Sequence, residues 1–286
     1  MTNTAEPTLE SGISARIERL TVTDRRIARA ILDDPGAVAF GTAASFAKLT
    51  GAGVGSIHRL ALQLGYSGFS DLQAQVQREI SQRLRPAAER IKTKTKGDAL
   101  DLAIQTETGN VSQTLIDVDR KVLSSAVKLL SNEEIGVYIA SGNSSAGVAM
   151  HLSEELRLLR HGVTLLSGNP VNLSAQIALA SDSDLLVVID FYRYDRWLVK
   201  LVRNAVDHGL DMISVTDSIL SPFAKLATCH FTVSARSETP FDSHVGTLAL
   251  CSLLVGSVTT HLRRGASQRL DAVEQDWISG NHLTAI

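Results

Sequence analysis

Two rhythms of apolar residues divide this chain of 286 residues. Up to residue 85 apolar positions recur at helical spacing in short segments. In "TDRRIARAILDD", Ile27, Ala30 and Ile31 fall at i, i+3, i+4, with Thr23 placed to cap the helix and Pro35-Gly36 to stop it. "TAASFAKLT" predicts a second short helix offering Ala43, Phe46, Ala47 and Leu49 to a core. After "GAGVG", the segment "SIHRLALQLG" sets Ile57, Leu60, Ala61 and Leu64 on one helical face, and Gly65 suits a helix C-terminus. Ser70-Asp71-Leu72-Gln73 reads as a capping box opening a helix that Pro86 ends. The opening ten residues are polar and are expected to be disordered.

Beyond residue 98 helical segments alternate with short continuous apolar runs. Two helices precede a strand at 135–140. A helix (145–160), a strand near Val163–Leu166, a helix (170–180) and the strand "LLVVI" follow. Next come a helix (196–208), the strand "MISV", a short helix opened by Ser221-Pro222, a strand near Phe231–Val233 and a long apolar helix over 243–262. Strands separated by helices make a parallel sheet with right-handed crossovers, so the expected fold is an all-α domain followed by a doubly wound α/β domain. The predicted division is 11–85, a polar and basic linker over 86–97 carrying Lys92, Lys94 and Lys96, and 98–286.

Charge adds a second asymmetry. Residues 1–96 carry 14 Lys and Arg against 9 Asp and Glu, and the remainder 14 against 21. A basic front on an acidic body suits a polyanion partner at the front. The apolar run Val245–Val258 is too short to span a bilayer, and no signal-peptide pattern opens the chain. The expected location is therefore the cytoplasm, with no membrane partner. Cys229 and Cys251 lack metal-ligand spacing and read as small buried hydrophobes.

Two short helices around a glycine-bearing turn have the form of a helix-turn-helix. With Ile57, Leu60 and Leu64 inward, Ser56, His58, Arg59 and Gln63 face away, and such side chains reach base edges and phosphates. A plain helical bundle with a solvated polar face has the same periodicity. The segment from Leu20 to Gln73, ending Leu64-Gly65-Tyr66-Ser67-Gly68-Phe69-Ser70-Asp71-Leu72, resembles the N-terminal domain of the RpiR family of bacterial transcriptional regulators. The resemblance places Arg59 on the family's recognition-helix arginine and Ser56 on its threonine. It implies double-stranded DNA with a palindromic operator as partner, Arg25, Arg26 and Lys48 as phosphate contacts, and Tyr66 as a further contact. Where the family usually has a capping serine this chain has Gly53, with Gly55 in the first turn, so the start of the helix is expected to fray without DNA.

In a parallel sheet, ligands sit outside the carboxyl ends of the strands. Three such ends are polar here: "SGNSS" (141–145), "DFYRYDR" (190–196) and "TDS" (216–218). The first opens a helix, where free N–H groups and the helix dipole suit an anion, and ordinary capping accounts for it equally. It matches neither a Walker A loop nor Gly-x-Gly-x-x-Gly, so no nucleotide cofactor is expected. The back half resembles a SIS (sugar isomerase) domain, the phosphosugar-binding fold of the C-terminal part of RpiR regulators. "YIASGNSSAGVAMHLSEELRLLRHG", "ISVTDSILSPFAKLA" and "TPFDSHVGTLAL" carry that likeness. The resemblance implies an effector site formed by Ser141, Asn143, Ser144, Ser145, Asp190, Tyr192, Arg193, Tyr194, Asp217, Asp242 and Ser243. It also implies assembly as a homodimer or tetramer.

One stretch departs from the family. Where phosphosugar-binding SIS domains usually carry Ser-x-Ser-Gly-x-Thr, this chain has Asp190-Phe191-Tyr192-Arg193-Tyr194-Asp195. A phosphate held in the usual manner is then doubtful, since arginine replaces the glycine of a tight turn. Three readings of the segment stay open. It binds an acidic or hydroxylated small molecule, it makes a subunit contact, or Asp190, Arg193, Asp195 and Arg196 pair as internal salt bridges. SIS domains also occur in isomerases, but His151, Glu154 and Glu155 have no evident partners and no phosphate grip would position a substrate. The expectation is a DNA-binding regulator, not an enzyme, whose DNA affinity is set by a small-molecule effector, a sugar phosphate or another acidic or hydroxylated metabolite. The alternative readings are a sugar-phosphate isomerase and a SIS domain that serves only to dimerise the chain.

Overall fold

The computed structural model describes residues 9–14, 16, 19–33, 35–84, 87–91, 97–219 and 221–282. The chain forms two compact units, Met1–Pro86 and Ala87–Ile286. The first is helical: α1 (Leu9–Ser14), α2 (Val22–Asp33), α3 (Pro35–Phe40), α4 (Ala43–Thr50), α5 (Val54–Gln63) and α6 (Phe69–Leu84). Its core gathers Leu9, Ile13, Ile27, Ile31, Phe46, Ile57, Leu60 and Leu72. Leu9 and Ile13 are buried in it, so order begins within the stretch expected to be disordered.

Several local details differ from the sequence expectation. Thr23 lies inside α2, and the cap is Thr21, whose Oγ1 accepts the Asp24 N–H at 3.2 Å and donates to Asp24 Oδ2 at 2.7 Å. The helix expected to open at Ser70 starts at Phe69, with Asp71 Oδ2 accepting from the Ser67 N–H and hydroxyl. Gln73 instead donates to the carbonyls of Val38 and Gly41 and ties α6 to the end of α3. Leu49 is exposed, while its neighbours Phe46 and Ala47 fill the core.

The second unit opens with the short α7 (Ala87–Arg90), which occupies part of the expected linker. Pro86, Lys92, Lys94 and Lys96 lie outside the described residues. Then follow α8 (Ala99–Ile116), α9 (Arg120–Leu130), β1 (Val137–Ser141), α10 (Ala146–Leu159), β2 (Val163–Leu165), α11 (Pro170–Ala178), β3 (Leu185–Ile189), α12 (Arg196–Asp207), β4 (Asp211–Thr216), β5 (Cys229–Thr232), α13 (Val245–His261) and α14 (Arg263–Ser279). The five strands are parallel in the order β2-β1-β3-β4-β5. Alternate residues of β3 enter different cores, Leu185, Val187 and Ile189 on one face and Leu186 and Val188 on the other. Residues from α9, α10 and α13 cover the first face, and residues from α11 and α12 the second. This is the doubly wound arrangement expected. The segment after Ser221-Pro222 is a run of turns, not a helix. The closing helix α14, absent from the sequence expectation, packs Ala266 into the first core. Among the described residues no single helix is long and apolar enough to cross a membrane.

Two buried polar devices hold the unit. Asn110 of α8 accepts the Arg236 N–H and Ser234 hydroxyl on Oδ1 and donates to the Arg236 carbonyl and Glu107. Beside it Gly246 lets α13 approach closely, since a Cβ there would lie 2.5 Å from Thr114 Oγ1 and 2.7 Å from the Ser234 carbonyl oxygen. At the opposite edge of the sheet Arg160 is 1% exposed. Its guanidinium donates to the Leu130 carbonyl at 2.7 Å, the His161 carbonyl at 2.8 Å, and the Ile135 carbonyl. A buried guanidinium is tolerated only when its donors are used, and those carbonyls depend on it in turn. Arg160→Met should therefore cost about 3 kcal/mol of stability in urea unfolding, the cost of orphaning buried charge-assisted hydrogen bonds.

Candidate nucleic-acid interface and strand-end site

In the first unit α4, the turn at residues 51–53 and α5 form the helix pair expected. Thr42 caps α4 through a reciprocal box with Ser45. Gly51 ends it at φ +61°, the left-handed conformation that glycine adopts without steric cost. Arg26 reaches from α2 to donate to the Gly51 carbonyl at 3.2 Å and steadies the turn. α5 starts at Gly53 with no side-chain cap. Ile57, Leu60 and Ala61 are buried, whereas His58, Arg59 and Gln63 are exposed and Ser56 is half-buried. Arg59 donates to Ser56 Oγ at 3.2 Å, so these two form one polar cluster on the outward face of α5. The His58 ring lies against Gly68, where a Cβ would come within 2.7 Å of it. Arg25 is exposed but anchored by its Nε to the Leu20 carbonyl at 2.9 Å. Lys48 is exposed on α4, and Tyr66 is half-buried against the unit's core.

In the second unit the strand order makes β1 and β3 neighbours whose following helices leave to opposite faces of the sheet. That reversal opens a crevice outside their carboxyl ends. Ser141 pairs with Ile189 in register, so the loop after β1 and Asp190 lie side by side. The contact is close, for a Cβ on Gly142 would sit 2.0 Å from Asp190 Oδ1. The aspartates of this end are all engaged with donors. Asp190, 3% exposed, accepts the Phe191 N–H at 2.9 Å and the Asp195 N–H at 3.2 Å. Asp217 accepts the Tyr192 N–H and the Tyr194 hydroxyl, each at 3.0 Å. Asp195 accepts the Asn143 N–H at 3.1 Å. Ser145 is fully buried, and its Oγ has no partner among the described residues.

Among the described residues Asp190, Arg193, Asp195 and Arg196 form no ion pair with one another, so the internal salt-bridge reading does not hold. The carboxylates serve backbone N–H groups instead, and the two arginines are exposed. Arg193 stands at φ +79°, a left-handed conformation that costs a non-glycine residue roughly 1–2 kcal/mol. The turn thus keeps a glycine-like shape while carrying an arginine. Tyr194 packs edge-on against Phe223 at 5.5 Å, and burial with the nearby Asp217 charge raises its phenol well above the usual range. Asp242 pairs with Arg90 at 2.6 Å, and Ser243 donates to Glu107 at 2.5 Å. These two belong to the contact between α7, α8 and the start of α13.

One residue outside the expected set joins the site. His244 stacks on Phe191 with ring centroids 4.6 Å apart. Burial lowers its pKa, while Asp242 and a hydrogen bond to the Ser144 backbone oppose that shift. His244 therefore connects the start of α13 with the ends of both β1 and β3. Its neighbours Asp242 and Ser243 carried the only sequence signal, because a lone histidine at a helix start has no periodicity of its own. His151 and Glu155, by contrast, pair along α10 at 3.5 Å, and Glu154 pairs with Arg157 at 2.8 Å. They have the partners that the sequence did not reveal.

The family model described as the helix-turn-helix domain of the rpiR family matches residues 8–83, and the SIS domain model matches residues 129–257. The chain belongs to the RpiR family. It is a helix-turn-helix transcriptional regulator carrying a SIS domain. A relative, the HTH-type transcriptional regulator HexR of Pseudomonas aeruginosa, is 24% identical over 259 residues, covering 88% of this chain and 89% of HexR. A helix-turn-helix regulator of Haemophilus influenzae is 25% identical over 221 residues, covering 75% of this chain and 76% of its own. Among solved structures, the sugar isomerase domain of an RpiR transcription factor from Sphaerobacter thermophilus superposes with a TM-score of 0.59 at 24% identity. It covers 63% of this chain and 99% of its own. The NanR protein of Vibrio vulnificus, solved with ManNAc-6P, gives 0.57 at 21% identity over 95% of this chain and 98% of its own. These likenesses agree with the RpiR fold order of helical unit, then parallel sheet.

Burial pushes the Asp190 carboxyl from an ordinary 3.8 up to about 7, against the two backbone hydrogen bonds that lower it. Between these values the folded chain keeps a proton that the unfolded chain has released. Its contribution to stability is therefore complete below about pH 4 and lost as pH rises through about 7. The melting temperature of the protein relative to Asp190→Asn should fall across that interval, as thermal unfolding from pH 5 to pH 8 will read.

Proposed function

We propose that this regulator binds a palindromic operator as a homodimer or tetramer, and that a small molecule at the strand ends of the SIS domain sets its affinity for DNA. The observation that carries the DNA half is the outward face of α5, where Ser56, Arg59 and Gln63 stand opposite the buried Ile57, Leu60 and Ala61. Arg59 reads a base edge, and Lys48 meets phosphate from the preceding helix. Arg25 and Arg26 are held to backbone carbonyls, so they combine phosphate contact with the bracing of the fold. His58, packed on Gly68, and Tyr66 contribute at the edge of the same surface.

For the effector half, the support is convergence. Ser141, Asn143, Ser144 and Ser145 of the β1 loop lie beside Asp190 and Asp195, and Tyr192, Tyr194 and Asp217 join them through hydrogen bonds. Arg193 is exposed at the rim in a strained backbone conformation, as residues at ligand clamps often are. Asp242 and Ser243 hold His244 against Phe191 from the far side. A hydroxylated or acidic metabolite is the ligand class these groups suit. A helix-turn-helix reads few base pairs alone, so pairing of chains is required for a specific operator. The exposed Leu100 and Ile104 of α8 and Val245 and Leu248 of α13 offer apolar surface for it. The ligand acts by favouring one spacing of the two recognition helices over another.

The protein acts in the cytoplasm and is not an enzyme. His151 and Glu155 lie 3.5 Å apart along α10, and Glu154 pairs with Arg157, so these three are engaged on the helix itself.

Arg59→Ala should weaken operator binding by roughly 1–3 kcal/mol, about tenfold or more, in a gel-shift titration, and should relax specificity at one position. Lys48→Ala should weaken binding on all sequences alike and reduce the salt slope by about one. Unchanged operator affinity in the first variant would remove α5 from the interface.

A further inference from the structure

Asp195 is the N-cap of α12, yet its side chain makes no hydrogen bond to that helix. An aspartate in this position ordinarily accepts from the second or third N–H of its own helix. Here the carboxylate is turned away and accepts the N–H of Asn143, 52 residues earlier, at 3.1 Å. Asn143 begins the 3₁₀ turn Asn143–Ser145 that runs directly into the 14-residue α10. That end of a helix carries partial positive charge and is where an anion would be held.

Two neighbouring donors are used as well. The Gly142 N–H goes to the Ile189 carbonyl at 3.1 Å, and the Ser145 N–H to the Gly142 carbonyl at 3.1 Å. Asp190 lies against Gly142 so closely that no side chain fits between them. A dianionic group arriving here would displace Asp195 from Asn143 and face the Asp190 and Asp195 carboxyls together, with Asp217 in the same network. Arg193 and Arg196, the cations of the segment, are exposed, and among the described residues neither forms an ion pair with Asp190 or Asp195. What the loop leaves open is a hydroxyl: Ser145 Oγ, fully buried and without a partner among the described residues.

We propose that Asp195 is the specificity-determining residue of this site: its carboxylate fills the anion position at the start of α10, so the site rejects phosphate monoesters and its effector is a non-phosphorylated metabolite. This rests on the strand ends being the effector site, and it narrows the ligand class given above.

The test is calorimetric titration of the full chain, wild type and Asp195→Ser, with inorganic phosphate and with glucose 6-phosphate. Serine retains an N-cap for α12 while withdrawing the carboxylate from Asn143. Wild type should give no saturable heat with either probe. Asp195→Ser should bind both, at least tenfold more tightly than any residual wild-type binding. Saturable binding of glucose 6-phosphate to wild type would overturn the proposal. So would an Asp195→Ser protein that is folded, by circular dichroism and operator affinity, and still ignores phosphate. If the serine variant does not fold, Asp195→Gly, which withdraws the side chain while remaining a tolerated N-cap, is read by the same criteria. Operator titration of the variant with and without phosphate separates the two ideas. Phosphate that binds the variant without altering operator affinity upholds the assignment of Asp195 and removes the strand ends as the effector site.

Discussion

Parallel strands end by releasing backbone N–H groups into a space where helices turn away on both sides, and a buried N–H without an acceptor is costly. At the ends of β1, β3 and β4 this protein meets that requirement with three aspartates. Asp190 takes the N–H groups of Phe191 and Asp195, Asp217 takes that of Tyr192, and Asp195 takes that of Asn143. The segment after β3 is thereby locked to both neighbouring loops, with no side-chain ion pair among the described residues. The left-handed Arg193 is held in place because residues on both sides of it are fixed. Tyr194 adds its hydroxyl to Asp217 and its ring to Phe223, which joins this end of the sheet to the core around α11 and α12.

The same economy of polar contacts recurs away from the strand ends. Arg160 serves three carbonyls at the other edge of the sheet, and Asn110 serves the loop after β5. In the helical unit Arg26 and Gln73 do likewise for the turns after α4 and α3. Each is a single side chain spanning a long stretch of sequence, and each fixes a loop whose composition alone would not fix it.

This explains what was legible in the sequence. Periodicity found the elements that bury a face, such as Ile57, Leu60, Ala61 and Leu64 on α5 or the continuous run of β3, because burial repeats along the chain. It missed α14, whose surface is largely polar, and it read the turns after Ser221 as a helix because Ser-Pro is a good helix start. Thr21, not Thr23, caps α2; both precede the same apolar face, and only the chain's path distinguishes them. At the strand ends the residue types were visible but not their pairing. Four alternating charges suggest ion pairs, whereas the fold brings backbone N–H groups to the acids first and leaves the arginines outside. His244 leaves no periodic signal for a related reason, since its partner Phe191 lies on a different element.

The hydrogen bond from Asn143 to Asp195 joins these threads, because it decides whether the crevice between β1 and β3 presents an open anion cradle or one filled by the chain itself. Hydrogen exchange at the Asn143 amide measures it directly. The account predicts that this amide is protected in the ligand-free protein, to a degree comparable with the Gly142 amide bonded to Ile189, and that protection is lost in Asp195→Ala while Gly142 keeps its own. An Asn143 amide that exchanges as fast as an unstructured peptide in the wild-type protein would contradict it.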